Sequence, residues 1–155
     1  MSRRWQRRVP GREQVFIMSL MYHGFRPTRR RVNLKKKKGY VISSSGREDA
    51  FGIDLWVKMP GHTTPIPVQI TQRGVRLFRK HHKNGREQLC EFIRRSESRI
   101  RAKRLWCRLN RIAFVVVRDF DGSMTNKAIA LSDIKALRYA VRNIQAGSHK
   151  YMTAP

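Results

Sequence analysis

The chain has 155 residues, of which 40% are hydrophobic, and its 35 Lys and Arg against 10 Asp and Glu give a formal net charge of +25. This length predicts one domain with a sizeable core, and the apolar content is that of an ordinary globular protein. No apolar run approaches the ~18 residues of a membrane span, and residues 1–12 lack the hydrophobic core of a secretory signal, so we expect a cytoplasmic protein.

The N-terminal third begins with a basic segment. Residues 1–11 are predicted to form a flexible arm that carries four arginines around Trp5. A helix is predicted over residues 12–22, because apolar side chains recur there at helical spacing, and Gly24 follows as a stop signal. Residues 29–38 hold seven Lys and Arg in ten positions, which indicates a solvated loop, or two strand ends joined by such a loop.

Three strands are predicted next. Tyr40–Ile42 and Phe51–Val57 are rich in strand formers, and residues 66–71 alternate apolar and polar side chains. The Pro and Gly residues between the last two runs predict a turn. The two runs are therefore expected to pair as an antiparallel hairpin.

The C-terminal half predicts a helix, a strand and a helix. Apolar residues recur at helical spacing from Gly85 to about Leu109, and Ile112–Val117 is a continuous apolar run typical of a buried strand. Ser132 with Asp133 is predicted to open the last helix. We therefore expect a single α/β domain over residues 12–146, with a tail at 147–155. Its central mixed four-stranded sheet is flanked by helices in the order α-β-β-β-α-β-α.

The few acidic residues are unevenly placed. Glu48, Asp49 and Asp54 fall within seven residues, and Asp54 lies inside a predicted strand. A hard divalent cation prefers such oxygen ligands, and Gln69 on the next strand could converge with Asp54. The alternative is structural: an ion pair between Asp54 and Lys58 or an arginine.

The runs at residues 48–57 and 67–71 resemble the PD-(D/E)xK nuclease superfamily. That family carries an Asp on one hairpin strand, then Glu or Gln, one spacer and a Lys on the next. The resemblance implies a restriction-endonuclease-like core in which Asp54 binds Mg²⁺ and Gln69 is the second ligand through its amide oxygen. It also implies that Glu13, on the first helix, is an optional third acid.

The departure from the family is at Thr71, which stands where Lys is expected. A hydroxyl cannot supply the positive charge that would stabilise the attacking hydroxide, so the resemblance implies a catalytic substitute at Arg73 or Lys58. Three interpretations stay open: an active variant, a DNA-binding relative that lost catalysis, and a coincidental motif.

The large positive charge predicts a polyanionic partner. Nucleic acid is expected ahead of an anionic membrane surface, because no isolated amphipathic anchor stands out. We expect DNA ahead of RNA, and a homodimer if both strands of a duplex are cut. The alternative is a non-enzymatic RNA-binding or ribosome-associated protein. The residues expected to contact phosphates are Arg29, Arg30, Arg31, Lys35, Lys36, Lys37, Lys38, Arg94, Arg95 and Arg99.

Other residue types suggest weaker candidates. His81 and His82 lack a third ligand at a metal-binding spacing, so we interpret them as polar contacts on a basic surface. Cys107 is interpreted as a reduced, partly buried thiol. Trp56 and Trp106 are interpreted as core residues rather than platforms for base stacking.

Overall fold

The computed structural model of the protein describes residues 11–72, 86–118 and 123–153, with side chains at 11–72, 94–118 and 123–144. It shows an α/β fold with four helices and five strands in these ranges. The elements in chain order are α1 (Arg12–Tyr22), β1 (Arg26–Thr28), β2 (Tyr40–Ser43), α2 (Gly46–Ala50), β3 (Leu55–Lys58), β4 (Ile66–Gln72), α3 (Arg86–Leu109), β5 (Ala113–Val117) and α4 (Asn126–Thr153).

The five strands form one mixed sheet in which they lie side by side in chain order. The outer pairs, β1 with β2 and β4 with β5, are parallel, and β3 is antiparallel to both of its neighbours. The predicted α/β class, mixed sheet and β3–β4 hairpin are confirmed. The predicted number of four strands is wrong, because β1 is a three-residue Arg-Pro-Thr strand without any apolar pattern.

The core lies between the sheet and the pair α1 and α4. Along β5 the buried residues alternate with half-buried ones, as expected for a strand with helices on both faces. Helix α3 packs against the opposite face, where Cys107 is fully buried. No described helix combines the length and the apolar character that a membrane span requires. The central core residues are Phe16, Leu20, Leu55, Val57, Val68, Val115, Ile134 and Leu137.

A buried ion pair joins α1 to α4. Asp133 has no exposed surface, and its carboxylate accepts from both terminal nitrogens of the Arg12 guanidinium. Ser19 Oγ donates to the same carboxylate at 2.6 Å. Asp133 therefore holds two helices together and does not open a helix as predicted.

Helix α4 is longer than the sequence pattern predicts at both ends. It begins at Asn126, where Thr125 Oγ1 accepts from the Ala128 amide at 3.2 Å and caps the first turn. Its backbone continues past Gly147 to Thr153, where a tail is predicted. The Thr125 side-chain cap therefore sets the start of α4, and Gly147 does not end the helix.

Helix α2 and the turn after it replace part of a predicted strand. Ser45 and Glu48 form a capping box, which begins a helix of five residues. Gly52 follows with φ +80°, a left-handed conformation that favours glycine. The predicted strand at 51–57 therefore begins only at Leu55.

Lys58 is buried and anchors the basic loop, residues 29–38, to the sheet. Its Nζ donates to the carbonyl oxygens of Lys36 and Lys38 at 3.0 and 2.7 Å. A third, longer bond of 3.4 Å reaches the Met59 carbonyl. These bonds explain how an ammonium group with 1% of its residue surface exposed is tolerated in this protein.

Replacing Lys58 by Met should therefore destabilise the fold. The change removes the donor of the Lys38 carbonyl, whereas the Lys36 carbonyl keeps the Gly61 amide at 2.7 Å. We expect a loss of about 1–3 kcal/mol in the free energy of unfolding. Urea denaturation measures this loss. Lys35→Met, at an exposed position of the same loop, is the matched control and should change stability by less than about 0.5 kcal/mol.

Candidate functional site

Asp54 and Gln69 lie at the same end of the β3–β4 hairpin. The register pairs Leu55 with Val68, and Asp54 and Gln69 are the residues that adjoin this last pair on the two strands. The Asp54 amide donates to the Val68 carbonyl at 2.9 Å, and Asp54 Oδ2 accepts from the Ile70 amide at 2.7 Å. The carboxylate is thus fixed against β4, beside the glutamine that the sequence predicts as its partner.

Helix α3 covers the Gln69 side of this pair. Gln69 Oε1 lies 3.3 Å from Cys107 Sγ, which donates to it. Burial raises the pKa of Cys107 to about 11, so the thiol keeps its proton. A Cβ at Gly52 would come within 3.3 Å of Gln69 Oε1 and 3.1 Å of the Trp106 ring. Gly52 therefore leaves room for the amide and the ring together.

The carboxyl groups near this pair repel one another. Burial raises the pKa of Asp54 and the charge of Asp49 raises it further, whereas the Ile70 amide and the charge of Lys103 lower it. Desolvation and then the charges of Asp54 and Asp49 raise the pKa of Glu13, which lies at the protein surface. The charges of Asp54 and Asp49 thus both act on Glu13, which the resemblance implies as an optional third acid.

The donor set suits a partly hydrated cation. The described residues contain no group of three His, Cys, Asp or Glu side chains that could hold a metal ion. Mg²⁺ needs less than such a cage, because it keeps several waters and binds through one or two carboxylates and substrate phosphates. Asp54 and the neutral amide oxygen of Gln69 are the donors that would hold such a cation.

Of the two predicted substitutes for the missing lysine, only Lys58 lies in the described part of the chain, and its ammonium is not at this site. Lys58 lies four residues further along the chain, and its ammonium binds the basic loop instead. Arg73 lies outside the described residues. Asp54 accordingly makes no ion pair with Lys58, and its carboxylate accepts from the Ile70 amide. Thr71 Oγ1 is buried without a hydrogen-bond partner in the described parts of the chain.

Lys103 is the cation that the sequence analysis missed. It lies on α3 one turn before Cys107, which contacts Gln69, and its charge lowers the pKa of both Asp54 and Cys107. The i, i+4 spacing to Cys107 is visible in the sequence. Which face of α3 meets β4 is not visible there, so this signal alone could not assign Lys103 to the site.

The basic loop presents most of its cations to solvent. Arg29, Arg30 and Lys35–Lys37 are exposed, and Lys38 is half-buried. Arg31 differs, because its guanidinium forms an ion pair with Glu48 and lies 4.3 Å from the Trp56 ring centroid. This arginine lowers the pKa of Glu48 to about 2. Arg31 thus holds α2 against the loop, and its predicted contact with phosphate stays a prediction.

The predicted cations on α3 lie together. Arg94, Arg95 and Arg99 are exposed and line a shallow depression of about 370 Å³. Trp106, predicted to be in the core, is 43% exposed beside Gly52. His81 and His82 lie outside the described residues.

Comparison with known proteins adds no relative. No family model matches the chain, and neither the curated proteins nor the solved structures give a match. The nuclease resemblance therefore depends on Asp54, Gln69 and the hairpin that carries them.

Proposed function

We propose that this protein binds nucleic acid, DNA ahead of RNA, and hydrolyses its phosphodiester bonds with a divalent cation bound at Asp54 and Gln69. The observation that carries the proposal is the position of Asp54 and Gln69 next to the last Leu55–Val68 pair of the hairpin. Desolvation and then the charge of Asp54 raise the pKa of a second carboxylate, Glu13. In a chain of net charge +25, such a cluster of acids needs a chemical reason. A bound cation would relieve the repulsion among them.

Each side chain has a distinct task in this proposal. When bound, Mg²⁺ supplies Lewis acidity and an activated water. The Ile70 amide fixes Asp54 Oδ2, and this contact orients the carboxylate toward the cation. The Cys107 thiol orients the Gln69 amide in the same way. Lys103 supplies the positive charge beside the phosphate that Thr71 cannot supply.

The exposed cations supply the binding energy. Each Lys or Arg that contacts a phosphate releases a condensed counterion, so the affinity is largely independent of base sequence and falls with salt. The basic loop and the cluster at Arg94, Arg95 and Arg99 are the described surfaces for these contacts. Cutting both strands of a duplex would need two copies of the site, so a homodimer belongs to the proposal.

Incubation with supercoiled plasmid and with structured RNA, in Mg²⁺ or in EDTA, tests the function. We expect nicked and linear plasmid in Mg²⁺ only, because the proposed chemistry needs the cation. We expect a gel shift in EDTA as well, because phosphate binding does not need it. A protein that shifts neither polynucleotide at low salt contradicts the whole proposal, and one that shifts but never cleaves contradicts its hydrolytic part.

Thr71 favours a second candidate, a non-enzymatic nucleic-acid-binding protein. Its buried hydroxyl occupies the position where the nuclease family has its lysine. In that case Mg²⁺ leaves the plasmid intact, and replacement of Asp54 changes only stability. The basic loop would suit a structured RNA as well as a duplex, so RNA is the first ligand to examine for this candidate.

A further inference from the structure

A second site lies on the far side of α3 from Asp54. Helix α3, β5 and α4 enclose an open groove of about 920 Å³ along the edge of the sheet. This groove has the size of a small-molecule pocket. No Asp or Glu is among the described residues that line it. Its cationic lining residues are Arg101, Arg104, Arg108, Arg118 and Lys135.

The floor of the groove is apolar and aromatic. Phe114 and Val116 of β5 lie at its base, and Leu105 and Tyr139 lie on its two helical walls. Leu105 is 59% exposed and Tyr139 is 65% exposed. Large apolar side chains with this exposure, ringed by cations, mark a surface for a ligand that is both flat and anionic.

The groove is separate from the candidate hydrolytic site. Lys103 and Cys107 face β4, whereas Arg101, Leu105 and Arg108 line the groove. At 3.6 residues per turn, these two sets lie on opposite sides of α3. A ligand in the groove would therefore bind without occupying Asp54.

We infer that this groove binds single-stranded nucleic acid, with bases on Tyr139 and Leu105 and phosphates on the surrounding arginines. The inference rests on the proposed function insofar as both need a polynucleotide partner. A duplex stacks its bases inside, so only an unpaired strand can present base faces and phosphates to one groove. The arginines add forked contacts to phosphate oxygens.

Charge disfavours one other occupant. A second copy of the chain, docked by this surface on itself, would bring two sets of five cations together. An acidic peptide would satisfy the cations, but it would gain nothing specific from an exposed tyrosine ring unless it carried its own aromatic group. The test below separates that occupant from a strand.

The test measures strand binding in the full chain carrying Asp54→Asn, with EDTA present. The probes are a labelled oligothymidylate of about 15 nucleotides and an abasic strand of the same length, which has the same phosphates but no bases. We expect Tyr139→Ala to weaken oligothymidylate binding about tenfold and abasic-strand binding less than about twofold, because stacking is lost and charge is kept. Tyr22→Ala, at a tyrosine 59% exposed on α1, is the matched control and should leave both affinities within about twofold.

Either of two strand-binding results would overturn the inference. One is equal affinity for the two strands, and the other is an equal effect of Tyr139→Ala and Tyr22→Ala. Binding of a polyglutamate peptide that depends on Tyr139, without base-dependent strand binding, would likewise overturn it and assign the groove to a protein. Plasmid cleavage by the chain with Asp54 intact is measured in parallel. Cleavage without a Tyr139 effect removes only the groove, and a Tyr139 effect without cleavage removes only the hydrolytic proposal.

Discussion

Asp54→Asn is expected to lower magnesium-dependent cleavage about a thousandfold, while nucleic-acid binding stays unchanged or becomes tighter. The amide has the shape of the carboxylate and can still accept from the Ile70 amide, but it lacks the charge that a hard cation requires. Removing one negative charge beside a phosphate site also reduces repulsion. Initial rates on plasmid and gel-shift affinities measure the two effects.

The same substitution should not weaken the fold. Burial raises the pKa of Asp54, so the folded protein disfavours its ionised form. The folded pKa therefore lies above the unfolded value of about 4, and the wild type loses stability as pH rises from that value through the folded pKa. Asn carries no such penalty. We expect the variant to be at least as stable as wild type at pH 7 in urea, and the difference to vanish below about pH 4.

Asp49→Asn is the matched control for the Asp54 experiment. It removes the same charge from the same acidic cluster, but Asp49 is exposed and lies outside the hairpin pair. Cleavage by this variant should stay within a few fold of wild type. If Asp49→Asn lost as much activity as Asp54→Asn, the local charge rather than a cation ligand at Asp54 would be responsible.

Asp133→Ala is expected to lower the free energy of unfolding by about 3–5 kcal/mol. The aspartate has no exposed surface, and its removal takes away the carboxylate that both terminal nitrogens of the Arg12 guanidinium, 9% exposed, contact. Ser19 also loses one of its two acceptors and keeps the Val15 carbonyl. Urea denaturation measures the loss directly.

Two further variants make the Asp133 result specific. Arg138→Ala, at an exposed position on the same helix, should change stability by less than about 0.5 kcal/mol. The double variant Arg12→Met with Asp133→Leu should recover part of the loss, because it removes both buried charges. A loss below about 1 kcal/mol for Asp133→Ala would show that the pair contributes little.

Three elements with a strong apolar pattern, unlike α4, could be predicted from the sequence almost residue by residue. Helix α1 has its predicted bounds, and β5 and α3 each begin one residue later than predicted. In these elements the pattern and the end signals agree, since Gly24 stands just after the last turn of α1 with φ +88°. Local sequence therefore decides where they begin and end.

The missed elements depend on contacts that the local sequence does not contain. Strand β1 exists because Arg26–Thr28 pairs with β2 across a basic loop. Helix α2 depends on the Ser45 cap, on Glu48 and on the Arg31 ion pair. A partner elsewhere in the chain thus contributes to each element, although the Ser45–Glu48 capping box of α2 is itself a local signal.

In the candidate site, too, some residues could be predicted from the local sequence and others could not. Strand alternation and one hairpin were enough to place Asp54 beside Gln69. Lys103 and Cys107 join them only through the packing of α3 on β4, which a one-dimensional pattern cannot specify. Lys58 is the reverse case, because it was suggested for the site but lies elsewhere. Four residues of extended chain put it roughly 13 Å from Asp54, near the other end of the strand.

The buried ammonium of Lys58 affects both the rate and the entropic cost of nucleic-acid binding. A flexible loop loses backbone conformational entropy when it binds a ligand, and this loss costs about 1–2 kcal/mol for each residue fixed. In this protein the carbonyl groups of Lys36 and Lys38 are already hydrogen-bonded to Lys58 of the sheet. The loop therefore loses this entropy during folding and not when the ligand binds. The cations of the basic loop are therefore held in place before the ligand binds. A substitution of Lys58, which does not contact the polynucleotide, is expected to slow association because it releases the loop.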